Sequence, residues 1–273
     1  MKKWIKTITV LSCFLTLTAC GSNATNQDIA STDEANNTGT VVQDETIADP
    51  IPESISITGP GSVSDGISQD KLLVDYNFDD TDPAILKNGA TLGEGYIAQG
   101  AVFDGIDDFV DAGPLDLEGE TMSVSMWIKA EDFDIQDARL ISKSSGTSEQ
   151  DHYFMLSTID SNGMKLRFRL KAGGTTSTLI PTSKGLTPNQ WIHVVASYDG
   201  SMMRLYQDGV KVGEIQKSGL LDSDVNTPVW IARNPDGSRA FHGAIDEVKI
   251  YGRSLTETEI TQLAQTVLDP TPD

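Results

Sequence analysis

The sequence contains little cysteine, few positive charges and no long apolar segment. It has two cysteines, Cys13 and Cys20, and 20 Lys and Arg against 40 Asp and Glu, which gives a formal net charge of −20. Such acidity argues against nucleic acid as a partner. The apolar run 8–17 is too short to cross a bilayer as a permanent helix. Cys13 lies in the apolar N-terminal run, which is typical of a removable export signal, so the mature chain can form no internal disulfide and its folded domain must depend on its core.

The first twenty residues predict export and a lipid anchor. A basic start at 2–6 precedes the apolar run, as in a signal peptide. The run ends in Leu17-Thr18-Ala19-Cys20, which resembles the lipobox of bacterial lipoproteins and implies lipidation of Cys20. The alternative is a simple cleaved signal. We expect a signal peptide over 1–19 and a bacterial envelope location in which the lipid is the only membrane contact. Gly21 after the anchor favours the outer membrane or cell surface.

The fifty residues after Cys20 have a composition that does not favour a hydrophobic core. Residues 21–70 contain nine Asp and Glu but no Lys, Arg or aromatic residue. Such composition predicts disorder. We therefore predict a lipid-anchored acidic linker over 20–70, a folded domain over 71–268 and a short tail over 269–273.

The folded part has the pattern of an all-β protein. Short apolar runs alternate with polar residues, for example at 74–78 and 122–129, and are separated by Gly, Asp and Asn. Asp208-Gly209 predicts a two-residue hairpin turn. Near the end, Thr256 and Glu259 form a capping box before the apolar residues Ile260 and Leu263, which predicts one short helix packed over the sandwich.

Seven segments occur in an order typical of one family. They are FD at 78–79, AVFDGIDDFV at 101–110, SVSMWIK at 123–129, LISK at 140–143, WIHVVASYDG at 191–200, MRLYQDG at 203–209 and GAIDEVKIYGRSLTETEI at 243–260. Together they resemble a laminin G-like jelly-roll domain of the concanavalin A-like lectin and glucanase superfamily. The resemblance implies an antiparallel β-sandwich with one C-terminal helix, in which the first and last strands are adjacent.

The sequence favours a protein without catalytic activity. Glycosidases of this superfamily place two carboxylates on one face of a strand. In AIDEVKIYG, strand alternation puts Asp246 on the face of Val248 and Ile250, and Glu247 on the other face beside Lys249. The three histidines are scattered, and no GxSxG motif is present. We therefore predict no enzyme activity.

Asp246 predicts a structural calcium site. A carboxylate on an apolar face needs a partner, which could be a metal ion, a cation such as Arg253 or backbone amides. The resemblance implies calcium where the first and last strands meet a loop, with Asp79 as the second ligand. Asp104, Asp107 and Asp108 are weaker candidates, because FDGIDDF equally describes a turn whose aspartates bind their own amides.

The ligand is predicted to be carbohydrate. In MKLRFRLK, the cations Lys165, Arg167, Arg169 and Lys171 share one strand face. They could dock an anionic polysaccharide or acidic peptide, although a solvated face paired with Asp and Glu on neighbouring strands is the preferred interpretation. Four further residues near strand ends or loops could contact a sugar: Tyr153, Asn234, Phe241 and His242. We interpret Trp127, Trp191 and Trp230 as structural.

Three functions follow in order of preference. The first is a non-catalytic envelope lipoprotein that binds carbohydrate or a glycoprotein surface. The second is an adhesive module that makes protein contacts in the envelope. The third, a polysaccharide lyase or hydrolase, lacks the required carboxylate pattern.

Overall fold

The fold is described by a computed structural model in which residues 67–117 and 119–266 are defined. The predicted signal peptide, Cys20 and most of the acidic linker lie outside these residues. Within them, the chain forms strands β1 (Leu72–Tyr76), β2 (Leu86–Lys87), β3 (Thr91–Glu94), β4 (Gln99–Asp104), β5 (Phe109–Pro114), β6 (Met122–Ala130), β7 (Arg139–Ser144), β8 (His152–Asp160), β9 (Met164–Ala172), β10 (Thr175–Leu179), β11 (Ile192–Tyr198), β12 (Met202–Gln207), β13 (Val210–Gln216), β14 (Pro228–Ile231) and β15 (His242–Tyr251), and helix α1 (Glu257–Gln265). Single-turn 3-10 helices occupy Pro83–Ile85 and Glu149–Asp151.

The strands form two antiparallel sheets. The eight-stranded sheet has the order β13-β12-β11-β6-β15-β4-β3, with β1 paired to β15. The seven-stranded sheet has the order β10-β9-β8-β7-β14-β5-β2. The inner faces of both sheets contribute to one apolar core. The predicted all-β sandwich is therefore confirmed.

Strand β6 illustrates why the alternating sequence forms this fold. Met122, Val124, Met126 and Ile128 point into the core and are almost completely buried. The residues between them lie on the outer face of the eight-stranded sheet. Burial of alternate side chains fixes the register of a strand, because a shift of one residue would expose all of them.

The predicted hairpin turn and helix are both present. Asp208 and Gly209 have φ values of 52° and 75°, and they join β12 to β13. Helix α1 begins after Thr256, whose side chain forms the expected capping box with Glu259. The helix lies on the outer face of the eight-stranded sheet, where it buries Ile260 against a small second apolar cluster.

Strand β15 connects the parts of the eight-stranded sheet. On one side it pairs with β6, from Gly243 to Tyr251. On the other side it pairs with β4 through residues 242–245 and with β1 through residues 248–251. The first and last strands are therefore adjacent, as the family resemblance implied. On that side, residues 246–247 of β15 lie between the segment paired with β4 and the segment paired with β1, and neither strand pairs with them.

Candidate functional site

The position of Asp246 differs from the one that strand alternation predicted. We expected Asp246 on the core face with Val248 and Ile250. That prediction was wrong, because a β-bulge between Asp246 and Lys249 inserts an extra residue. Glu247 adopts a left-handed conformation with φ 50°. Asp246 pairs with Trp127 and lies with it on the outer face of the eight-stranded sheet.

The bulge also corrects the predicted relation between Asp246 and Lys249. Strand alternation placed them on opposite faces, whereas both face outward. The Lys249 ammonium lies 2.6 Å from the Glu247 carboxylate and 3.3 Å from that of Asp75 on β1. Because Asp75 and Lys249 are opposite each other on neighbouring strands, this ion pair joins β1 to β15.

Asp246 is completely buried and accepts hydrogen bonds from backbone amides. Its Oδ2 accepts from the Ile97 amide at 2.9 Å, and its Oδ1 accepts from the Glu247 amide at 2.7 Å. Asp79 accepts from the Gln99 amide at 2.8 Å. The cation that we considered, Arg253, binds Glu259 instead. Of the possible partners, the structure therefore provides backbone amides: that of Ile97 in the loop that joins β3 to β4, and that of Glu247 in β15.

The environment of Asp246 is suited to a proton or a cation. Burial raises the pKa of Asp246 to about 7; the Ile97 and Glu247 amides oppose the shift, while the charges of Glu247 and Asp79 add to it. The loop wraps closely, since a Cβ added to Gly95 would lie 2.7 Å from Asp246 Oδ2. Carboxylate and backbone oxygens are ligands that calcium prefers. Asp246 and Asp79, the predicted calcium ligands, both accept from amides of the segment 97–99.

An aromatic cluster lies beside this loop. Tyr96 stacks on Trp127 with ring centroids 3.4 Å apart, and its edge meets Trp191 at 6.1 Å. Trp127 is buried, but on the outer sheet face rather than in the central core. The structural role predicted for both tryptophans thus consists of holding the Gly95–Gln99 loop against the sheet.

The acidic segment at 104–108 forms the turn that we favoured. Asp104 accepts from the Ile106 amide at 2.8 Å, and Asp108 accepts from the Asp104 amide at 3.0 Å. Gly105 has φ 77°. Carboxylate oxygens of Asp104, Asp107 and Asp108 lie within 4.8 Å of one another. Two of the three aspartates, Asp104 and Asp108, thus bind amides of their own turn.

The cationic face of β9 is present but is not solvated. Lys165, Arg167, Arg169 and Lys171 lie on the outer face of the seven-stranded sheet, opposite the core residues of the same strand. Arg167 is only 4% exposed, and Lys165 is also buried. The interpretation as a solvated face paired with acidic residues of neighbouring strands was therefore wrong. Both Arg167 and Arg169 bind hydroxyl groups of neighbouring strands instead.

A third arginine, which sequence reasoning missed, lies beneath this face. Arg139 on β7 is buried; it donates to Asn234 Oδ1 at 3.3 Å, to the Asp137 carbonyl at 2.7 Å and to His152 Nε2 at 3.3 Å. Burial, followed by the positive charge of Arg167, lowers the pKa of Arg139 to about 9. Nothing in the local sequence distinguishes this residue, because long-range loops provide its partners.

The other two arginines complete what we call the arginine cluster, which consists of Arg139, Arg167 and Arg169. Arg167 donates through Nε to Ser157 at 3.1 Å, and its Nη1 lies 3.6 Å from Asp137 Oδ1. Arg169 is half-buried and donates to Thr178 Oγ1 at 3.2 Å. Burial, together with the charges of Arg139 and Arg169, lowers the pKa of His152 to about 4, so its imidazole is neutral at pH 7.

The structure separates the four residues suggested as sugar contacts. Tyr153 is half-buried on β8, with the ammonium groups of Lys143 and Lys171 5.7 and 5.6 Å from its ring. Asn234 and Phe241 are completely buried, so their placement at an accessible surface was wrong. His242 lies on the other sheet and binds Asp132 at 2.6 Å.

Trp230 lies on the seven-stranded sheet and has a structural contact. It belongs to β14 and stacks on Phe109 with centroids 3.9 Å apart.

As far as the described residues extend, no helix is long and apolar enough to span a membrane.

The two antiparallel sheets and the adjacent first and last strands define a concanavalin A-like sandwich. Residues 104–261 match the laminin G-like family model of the concanavalin A-like lectin/glucanases superfamily. Because this match covers more than half of the chain, the protein belongs to that superfamily.

Two relatives and one solved structure illustrate what this chain is similar to. Mouse pappalysin-1 is 31% identical over 163 residues, 56% of this chain and 10% of pappalysin-1. The adhesion G-protein coupled receptor V1 of Danio rerio is 26% identical over 144 residues, 52% of this chain and 2% of the receptor. This chain thus spans a small part of both relatives. Domain 4 of an extracellular arabinanase from Geobacillus stearothermophilus, solved with arabinotriose, has a TM-score of 0.57 at 20% identity, covering 71% of this chain and 98% of that domain.

The raised pKa of Asp246 predicts a pH effect on the stability of the calcium-free protein. Since the pKa is about 7 in the folded state and 3.8 ordinarily, the folded state holds the proton more tightly. The stabilisation from this group is complete below about pH 4 and is lost as the pH rises toward 7. Between pH 5 and 8 we expect wild type to lose ~3 kcal/mol relative to Asp246→Asn.

The difference between these two proteins is the quantity to measure, by urea unfolding in chelator. His152 and His193, with pKa values lowered to about 4 and 3, make both proteins more stable as the pH rises to about 6.5. Their effect cancels in the difference. A difference that does not change between pH 5 and 8 would show that Asp246 does not titrate in this range.

Proposed function

We propose that this chain is a non-catalytic carbohydrate-binding protein of the bacterial envelope. The observation that carries the proposal is the outer face of β8 and β9, where half-buried Tyr153, Arg169 and Lys171 share a surface with the buried Arg167. Sugar sites combine an aromatic ring with a few positioned hydrogen-bond donors. A rigid network beneath such donors reduces the entropy lost on binding. The arabinanase domain with bound arabinotriose supports the proposal as a protein of the same fold.

The arrangement of charges favours binding over hydrolysis. A glycosidase needs two carboxylates about 5 to 9.5 Å apart, one on each side of the scissile bond. On the surface of β8 and β9, the exposed and half-buried ends are cationic. The carboxylate of Asp246 is buried on the other sheet, where two amides bind it. We therefore assign no catalytic role to either place.

Binding at Tyr153 predicts a specific loss in a glycan-array experiment followed by titration with the best glycan. Tyr153→Ala should weaken binding about tenfold or more, because truncation of a central aromatic contact removes 1–2 kcal/mol or more. Tyr96→Ala on the other sheet is a matched control and should leave affinity unchanged. Loss only in Tyr96→Ala would move the site to the other sheet, and a folded protein that binds no glycan would favour the adhesive alternative.

We further propose that calcium binds between Asp79 and Asp246 and has a structural role. The ion would neutralise a carboxylate that burial otherwise destabilises, and would hold the Gly95–Gln99 loop to the segment after β1 and to the middle of β15. It would not take part in any reaction.

Calcium at this position should raise the melting temperature at pH 7.5 by about 5–10 °C at a concentration 100 times the dissociation constant. Asp246→Asn should abolish the response, as measured by calorimetry with calcium or chelator. Asp107→Asn is the control, since it alters the acidic turn at 104–108 and should leave the response intact. A response that disappears in Asp107→Asn but persists in Asp246→Asn would place the ion in that turn.

The envelope location depends on Cys20, which we propose carries a lipid. In bacterial cells, Cys20→Ser should move the protein from the membrane to the soluble fraction and prevent labelling by a fatty-acid analogue. Cys13→Ser is a matched control that should stay membrane-bound, because Cys13 lies within the proposed signal peptide. An unlabelled wild-type protein would support a simple cleaved signal.

A further inference from the structure

The arginine cluster carries more positive charge than its surroundings neutralise. Among residues 67–117 and 119–266, the carboxylate in ion-pair contact with the cluster is that of Asp137, 3.6 Å from Arg167. Arg139 and Arg169 form no ion pair within that part of the chain. Buried charges normally occur with opposite charges. The charge of Asp236 also acts on Arg139, and with it the cluster still has more positive than negative charge, although the chain has twice as many acidic as basic residues.

One donor of the cluster also lacks an acceptor. Arg167 Nη2 is buried and has no hydrogen-bond partner among the described residues, although Nε binds Ser157. A buried charged donor without an acceptor destabilises the fold by more than a neutral one. The nearest carboxylate, Asp137 Oδ1, is also without a hydrogen bond, because 3.6 Å is too long for one. An acceptor is therefore missing beside Arg167.

The missing acceptor should be negatively charged. A neutral hydroxyl or carbonyl would satisfy Nη2 but would leave the charge of the cluster unchanged. His152, which lies beside the arginine cluster, is neutral and already accepts a hydrogen bond from Arg139. Carboxylate and sulfate groups accept two parallel hydrogen bonds from a guanidinium and bring the compensating charge. One anionic group would therefore correct both deficits.

The cluster is continuous with the proposed sugar surface. Arg169 is half-buried, and the Asp137 side chain is 21% exposed at the other side of Arg167. Lys171 extends the positive charge to the ring of Tyr153. The carboxylate of Glu149 is linked to Arg169 only through Thr178. The Thr178 hydroxyl accepts a hydrogen bond from Arg169 and donates one to Glu149.

We infer that the bound carbohydrate is acidic and that its carboxylate or sulfate group binds Arg169, the half-buried arginine of the cluster, beside Arg167. This inference rests on the proposed function and specifies its substrate class. The sugar ring would lie toward Tyr153 and Lys171. Asp137 would compete weakly for the charge of the same cluster.

The experiment compares acidic glycans with neutral counterparts on the purified full chain. An array with uronate, sialylated, sulfated and neutral glycans identifies the best acidic glycan, and calorimetry then compares it with an uncharged derivative, such as the methyl ester of a uronate. The acidic form should bind at least about tenfold more tightly, as expected for charged hydrogen bonds. The difference should decrease at high salt.

Three variants test the assignment to the cluster. Arg169→Gln should weaken binding of the acidic glycan about tenfold or more. Lys211→Gln, the same charge change on the other sheet, should have no more than about a twofold effect. Asp137→Asn should strengthen binding, because it removes the competing carboxylate. A gain in affinity cannot result from misfolding, and thermal unfolding checks that Arg169→Gln remains folded.

The outcomes separate this inference from the proposed function. Equal binding of neutral and acidic glycans, with no effect of Arg169→Gln, would overturn the inference and leave carbohydrate binding in place. No binding to any glycan would overturn both. Poly-glutamate that binds as tightly as the best acidic glycan would also overturn the inference, because it would identify an acidic peptide as the ligand.

Discussion

The burial of one carboxylate, that of Asp246, determines how three segments of the eight-stranded sheet meet. Strand β15 must pass from one neighbour to another, and the passage leaves backbone amides of the loop after β3 without strand partners. Asp246 accepts from one of those amides, and the bulge at Glu247 turns its side chain toward them. Removing a carboxylate from water is unfavourable unless hydrogen bonds or a counter-charge compensate. The junction is therefore sensitive to protons and cations, while the core beneath it is entirely apolar.

The two outer faces of the sandwich bury side chains of opposite charge. On the eight-stranded sheet, negative charges collect around Asp246. On the seven-stranded sheet, two buried arginines and one half-buried arginine form the arginine cluster, with Asp137 in ion-pair contact. The net charge of the chain does not predict the charges on either outer face. Charges within about 4 Å of each other in a partly buried environment interact much more strongly than they do with the screened field of the whole molecule.

Local sequence patterns predicted the elements that local interactions determine. The turn at Asp208-Gly209 needs two positive φ angles, and the capping box at Thr256 is completed within one helical turn. The position of Asp246 was missed because the bulge shows in the sequence only as two consecutive polar residues, Asp246 and Glu247, between the core residues Ile245 and Val248. Arg139 was missed because its partners Asn234 and His152 come from distant segments. The predicted cations of β9 were found, but only the fold shows that loops cover them.

The pairing of β1 with β15 joins segments that are far apart in sequence. Contacts of this kind are formed late and slowly, because a long loop must close before they provide any stability. As the chain leaves the ribosome, β1, β4 and β6 all lack their common neighbour until the last strand emerges. The eight-stranded sheet therefore cannot be completed on a partial chain. A polypeptide with this order of strands therefore completes the eight-stranded sheet only after its last strand has been synthesised.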